Sequence, residues 1–134
     1  MTIAEVMTRN VQTVPAAMRA PQAWELMRRR RIHHLVVTDG SKVTGVISDR
    51  DGDGAGGAIL RADSTVADLI GSDVVTIEPT EPVRKAARLM RRRSLSCLPV
   101  TKGTKLVGVL TVSDLLDVLA RGVDGRRGAR RRTR

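Results

Sequence analysis

Apolar and polar positions along the chain follow one pattern twice. A short β-type run at Val11–Val14 precedes a segment in which Ala23, Leu26 and Met27 recur at helical spacing among polar residues. Two more β-type runs follow, Leu35–Thr38 and Val43–Ile47, with a turn predicted at Asp39-Gly40. The same order then returns: Val74–Ile77, then Ala86, Leu89 and Met90, then Leu98–Thr101 and Leu106–Leu110 around Lys102-Gly103. Pro21 and Pro82 fall where the first turn of each predicted helix tolerates a missing N–H. After Asp114 the run LLDVLA predicts a short helix. After Asp51 the glycines of Gly52–Gly57 predict a loop, with helix resuming near Ala58–Leu60 and another starting at Ser64 as N-cap.

Shifting the sequence by 63 positions lays Val11–Asp51 over Val74–Asp114 without a gap. Leu35, Val37, Gly40, Lys42, Gly45, Val46 and Asp51 coincide with Leu98, Val100, Gly103, Lys105, Gly108, Val109 and Asp114. The match extends upstream, with TIAEVM over TVADLI. The expected organisation is therefore a first repeat at 2–64, a second at 65–121 and an Arg-rich tail at 122–134. Each repeat reads β-α-β-β-α, an α/β (α+β) pattern. At 134 residues, two half-domains sharing one core are expected rather than two independent domains.

Composition narrows the function. The chain has one Trp and no Phe or Tyr, so the core must be aliphatic. A stacking platform for single-stranded nucleic acid is disfavoured by the same fact. Of the net charge of +10, six units lie in residues 121–134, a stretch with three glycines and no apolar periodicity that is expected to be disordered. That tail is either a solvated end or an arm, residues 126–134, for nonspecific contact with nucleic acid. Arg28–Arg31 and Arg91–Arg93 close the two predicted helices, where cations oppose the helix dipole on a solvated face. One cysteine, no secretory h-region and no long apolar run point to a cytoplasmic protein without a membrane segment.

Metal and catalytic motifs find little support. Asp49–Gly54 begins like an EF-hand loop, but the twelfth position is Leu60 rather than a bidentate Glu. One Cys and two adjacent His do not make a zinc site. No phosphate-binding G-x-x-x-x-G-K-[ST] loop is present, and Gly52-x-Gly54-x-x-Gly57 lacks the strand-to-helix context of a dinucleotide site.

Each repeat ends in Gly-h-x-[Ser/Thr]-x-x-Asp, where h is hydrophobic: Gly45 to Asp51 and Gly108 to Asp114. With the upstream strands HHLVVTD and SCLPVTK, this pattern resembles the cystathionine β-synthase (CBS) domain, in tandem, over about residues 2–121. The resemblance implies two repeats about a pseudo-twofold axis forming one module, and modules that pair as homodimers. It implies a non-catalytic, regulatory, energy-sensing role: binding AMP, ADP, ATP or S-adenosylmethionine between the repeats and signalling to a partner protein, with no other cofactor. By the same resemblance each cleft mixes the repeats. Thr111, Ser113 and Asp114 are expected to face Ile32, His33 and His34, and Ser48, Arg50 and Asp51 to face Leu95, Ser96 and Cys97, with Arg50, His33 and His34 able to reach a phosphate. The Asp114 cleft is favoured because a clear helix follows it and the histidines face it.

The chemistry suits such a ligand. One ionised carboxylate accepts from both hydroxyls of a ribose, and charge-assisted bonds are strong. The alternative for each Asp is local: a helix cap, with Ser48 and Thr111 bonding nearby backbone. Two further readings stay open, a nucleic-acid-associated protein acting through its tail and a structural dimer without ligand. Val36, where the family often has Pro, and the glycines after Asp51 keep the last alive.

Overall fold

A computed structural model describes residues 1–49, 63–70 and 74–122. Helix α1 (Ile3–Val6) leads into β1 (Thr13–Pro15), α2 (Ala20–Arg30), β2 (His34–Asp39) and β3 (Lys42–Ser48). A 3-10 turn at Val66–Asp68 opens the second half, followed by α3 (Val83–Arg93), β4 (Cys97–Lys102), β5 (Lys105–Thr111) and α4 (Val112–Arg121). The architecture is mixed α/β, two repeats of the β-α-β-β-α type. The predicted loop at Gly52–Gly57, the helix at Ala58–Leu60 and the tail lie outside the described residues.

In the first half β1 runs parallel to β2, and β2 antiparallel to β3. In the second half β4 and β5 pair in the same antiparallel register, including the irregularity after Val100 that matches the one after Val37. The counterpart of β1 shrinks there to a single parallel bridge between Ile77 and Val100. Both hairpins turn one residue later than predicted. Asp39 pairs with Lys42 and Lys102 with Lys105, so the two-residue loops are Gly40-Ser41 and Gly103-Thr104. Glycine leads each loop because the position sits at φ 64°. Pro21 falls in the first turn of α2, and Pro82 is the N-cap of α3. The cap predicted at Ser64 is Thr65, whose hydroxyl bonds Asp68 Oδ2 at 3.2 Å.

One shared core is not what the packing shows. Val14, Ala23, Met27, Leu35, Val37, Ile47 and Val66 form one buried cluster. Ile3, Met7, Ile77, Ala86, Met90, Leu98, Val100 and Leu110 form another. Each cluster is completed by the segment that opens the opposite half, Val66 in the first and Ile3 with Met7 in the second. The halves are thus interlocked by exchange of short N-terminal segments. The duplicated glycines make the exchange possible. A β-carbon on Gly108 would lie 2.7 Å from Met7 Sδ, and one on Gly45 would lie 2.9 Å from the Ile70 side chain. Met7 and Ile70 coincide under the 63-residue shift, as do Gly45 and Gly108.

Candidate functional site

The exchange carries a polar segment across the molecule. Thr8 and Val109 bond each other in both directions, Thr8 N to Val109 O at 2.8 Å and Val109 N to Thr8 O at 2.9 Å. This isolated bridge pins residues 8–12 beside the end of β5. There the chain leaves the strand and enters α4, with Thr111 as N-cap. Asp114 does not precede the helix, as expected from sequence, but occupies its first turn. The cap is reciprocal: Asp114 N donates to Thr111 Oγ1 at 3.1 Å and Thr111 N donates to Asp114 Oδ2 at 2.9 Å. The carboxylate is thereby aimed and has a structural role of its own. Thr8 Oγ1 donates to it as well, at 3.1 Å to Oδ1 and 3.4 Å to Oδ2.

On the other side, α2 ends at the left-handed residue Arg31, after which Ile32 N returns to Met27 O at 3.0 Å. This sharp stop delivers Ile32, His33 and His34 to the same place. A cleft of about 320 Å³ results, lined by Asn10, Gln12, Arg31, Ile32, His33, His34, Thr111, Ser113 and Asp114, among others. All six residues expected around the Asp114 cleft stand on its wall. Thr8, Asn10 and Gln12 were not foreseen. The signal available was upstream self-similarity (TIAEVM over TVADLI), which marked the segment as structural but not as crossing to the other half.

A second cavity of about 460 Å³ adjoins the first. Ser48 and Ser96 line it together with His33, His34, Asp49 and Thr111. His34 Nε2 and Ser96 Oγ lie 3.0 Å apart, a hydrogen bond between the halves. His33 Nδ1 lies 2.5 Å from Asp49 Oδ2. Arg50 and Asp51 fall outside the described residues. Leu95 packs against the core of the second half, and the Cys97 side chain is buried. Burial pushes the Cys97 thiol up to about 12, with the Asp114 charge as a lesser cause. Among the described residues no group of His, Cys, Asp and Glu could hold a metal. Nor is any helix among them long and apolar enough to cross a membrane.

The CBS domain model matches residues 3–51 and 66–121. The chain belongs to the CBS domain family. A CBS domain-containing protein of Dictyostelium discoideum is 30% identical over 136 residues, covering 87% of this chain and 90% of that protein. Other curated relatives are far longer: the chain spans 23% of a homoserine O-acetyltransferase of Methanohalobium evestigatum, at 27% identity. Among solved structures, the CBS domain pair of protein MJ0100 in complex with 5′-methylthioadenosine and S-adenosyl-L-methionine superposes with a TM-score of 0.80. It is 21% identical and covers 90% of this chain and 97% of that one. CBSX2 in complex with AMP superposes with a TM-score of 0.75 at 24% identity, covering 90% and 96%. At these identities the likeness is one of fold: a tandem CBS pair.

Proposed function

We propose that this CBS pair is a non-catalytic regulatory module that binds an adenosine-containing nucleotide in the Asp114 cleft and passes its occupancy to a partner protein. The observation that carries the reading is a carboxylate oriented by Thr8 and Thr111 on one wall, facing the Ile32–His34 backbone and side chains on the other. A ribose diol fits the first wall, and adenine, flat and edge-polar, fits the strand entry. The adenosyl ligands of MJ0100 and CBSX2 add support from proteins of the same fold. The Asp51 half of the pair, with Ser48 and Ser96 on a connected cavity, is proposed as a second site on symmetry alone.

Calorimetry of the full chain with AMP, ATP and S-adenosylmethionine tests the reading, with stabilisation by mass action as a parallel readout. Asp114→Asn keeps an acceptor for the cap and removes the charge, so binding should weaken at least about tenfold while the fold persists. Absence of binding by all three at millimolar concentration would leave a ligandless structural pair.

We further propose that two modules pair through α4. Val112, Leu116 and Leu119 are 42%, 58% and 64% exposed at helical spacing. Beside them a groove of about 760 Å³ runs along Leu115, Val118, Val83 and Ala87. Exposed apolar side chains of this number on one helix mark association, with Leu119 lining the groove and Val112 and Leu116 the cavity of about 460 Å³. Leu116→Glu with Leu119→Glu should shift the chain from dimer to monomer in sedimentation; a wild-type monomer at all concentrations would remove the proposal. Nucleic-acid contact through residues 126–134 remains a separate proposal, tested by salt-dependent retention with and without them.

A further inference from the structure

The two halves enter their second strands with unlike charge. Arg31 and Ser94 are equivalent, both left-handed helix ends, at φ 56° and 55°. A β-carbon disfavours that conformation, and neither residue is one of the types that tolerate it best. Arg31 is exposed, and its guanidinium makes no hydrogen bond or ion pair among the described residues. It lines the Asp114 cleft, where it is the only permanent cation and Asp114 the only carboxylate among the described residues. The equivalent stretch of the second half, Ser94 to Cys97, offers no cation at all.

We infer that the Asp114 cleft selects a phosphorylated adenosine nucleotide over S-adenosylmethionine, with Arg31 as the specificity-determining contact to the phosphate. The inference rests on the adenosine reading above and goes one step further, to ligand class. With Asp114 committed to the sugar end, Arg31 is the charged group left for the 5′ substituent. A guanidinium takes two phosphate oxygens at once and is never deprotonated in this range. S-adenosylmethionine instead brings a net positive charge, its sulfonium and ammonium outweighing its single carboxylate, and no second carboxylate lines the cleft among the described residues to offset it. Asp49, in the adjoining cavity, is already engaged by His33.

Calorimetric titration of the full chain with adenosine, AMP and S-adenosylmethionine decides the matter. AMP should bind at least tenfold tighter than adenosine, by about the contribution of one partly exposed charged hydrogen bond, and S-adenosylmethionine no tighter than adenosine. Arg31→Ser, which installs the second half's residue, should bring AMP down to the affinity of adenosine and leave adenosine unchanged. Arg31→Gly suits the left-handed position and serves as the second variant should the first fold poorly. Equal binding of AMP and adenosine, tighter binding of S-adenosylmethionine, or equal loss of AMP and adenosine in the variants would each overturn the inference while leaving the adenosine site intact. If none of the three binds, the site reading fails and the inference with it.

Discussion

Residues 31–34 and 94–97 hold the same place in the two halves, and their backbones are nearly interchangeable. Ile32 N reaches Met27 O at 3.0 Å, and Leu95 N reaches Met90 O at 2.8 Å. Asp49 N bonds His33 O at 3.0 Å, and Val112 N bonds Ser96 O at 3.1 Å. The side chains hung on this frame share little: Arg, Ile, His and His against Ser, Leu, Ser and Cys. Main-chain bonds thus fix the position of a cleft wall in both halves and leave its chemistry free. Duplication here preserves a scaffold, and the halves differ where side chains face the clefts rather than the cores.

Matched core truncations would break that picture most forcefully if it is wrong. Leu35 and Leu98 are equivalent and fully buried, one in each cluster. Leu35→Ala and Leu98→Ala should each cost about 2–5 kcal/mol in denaturant unfolding. Because the exchanged segments tie the clusters together, each variant should still unfold in one transition. Two separated transitions would mean that the halves are independent.

The duplicated glycines separate the two halves more finely. Gly108→Ala presses on Met7 Sδ and also on Thr8 O at 2.9 Å, whereas the nearest atoms to Gly45→Ala, among the described residues, are those of the Ile70 side chain. Overpacking of this kind costs about 1–3 kcal/mol. Both variants should be destabilised, but only Gly108→Ala should also weaken adenosine nucleotide binding, because it displaces the segment that holds Thr8 against Asp114. Adding Ile70→Ala should restore much of the stability lost in Gly45→Ala. Adding Met7→Ala to Gly108→Ala should restore less, since the carbonyl of Thr8 remains. Equal rescue in both would show that the backbone contact at Thr8 carries no weight.

A smaller effect is expected at the cap. Thr111→Ala removes the hydroxyl that accepts from Asp114 N and should cost about 1 kcal/mol. The carboxylate keeps its bonds from Thr111 N and Thr8 Oγ1, so nucleotide affinity should fall less than in Asp114→Asn. A fall as large as that of Asp114→Asn would show that the cap hydroxyl, and not these two remaining donors, aims Asp114.

Much of this architecture is legible in the sequence because two physical signals repeat at one spacing. The helical recurrence of Ala23, Leu26 and Met27 and the Gly-led hairpins name the elements, and the motif ending in Asp51 and Asp114 names the junctions. Pairing of Ile32–His34 with Thr111–Asp114 came from the family resemblance, not from spacing. What the pattern could not carry was partnership at long range. Apolar periodicity says that Ile3 and Met7 are buried, yet it is silent on which half buries them. The exchange therefore escaped notice, and with it Thr8, Asn10 and Gln12. Hairpin loops and caps slipped by one residue because Asp39, Lys102 and Ser64 suit turn or cap positions as well as their true neighbours do.

The finest contrast lies between His34 and its counterpart Cys97. The thiol is buried and shifted up to about 12 from an ordinary value of 9.0, mainly by burial and secondarily by Asp114. A thiol whose folded pKa exceeds its unfolded one stabilises the fold fully below pH 9, and that contribution is lost as the pH rises through about 12. Stability should therefore decline above pH 9 in the wild type and decline less in Cys97→Ala. At pH 8 the native thiol should resist alkylation and react only as the protein opens. Asp114→Asn removes the lesser cause, so it should lower the thiol's pKa slightly and speed alkylation at pH 10. A rate that does not move would mean that the carboxylate at the cleft bears no charge felt at Cys97, and would separate the cap that Asp114 forms from the anion proposed to grip the sugar.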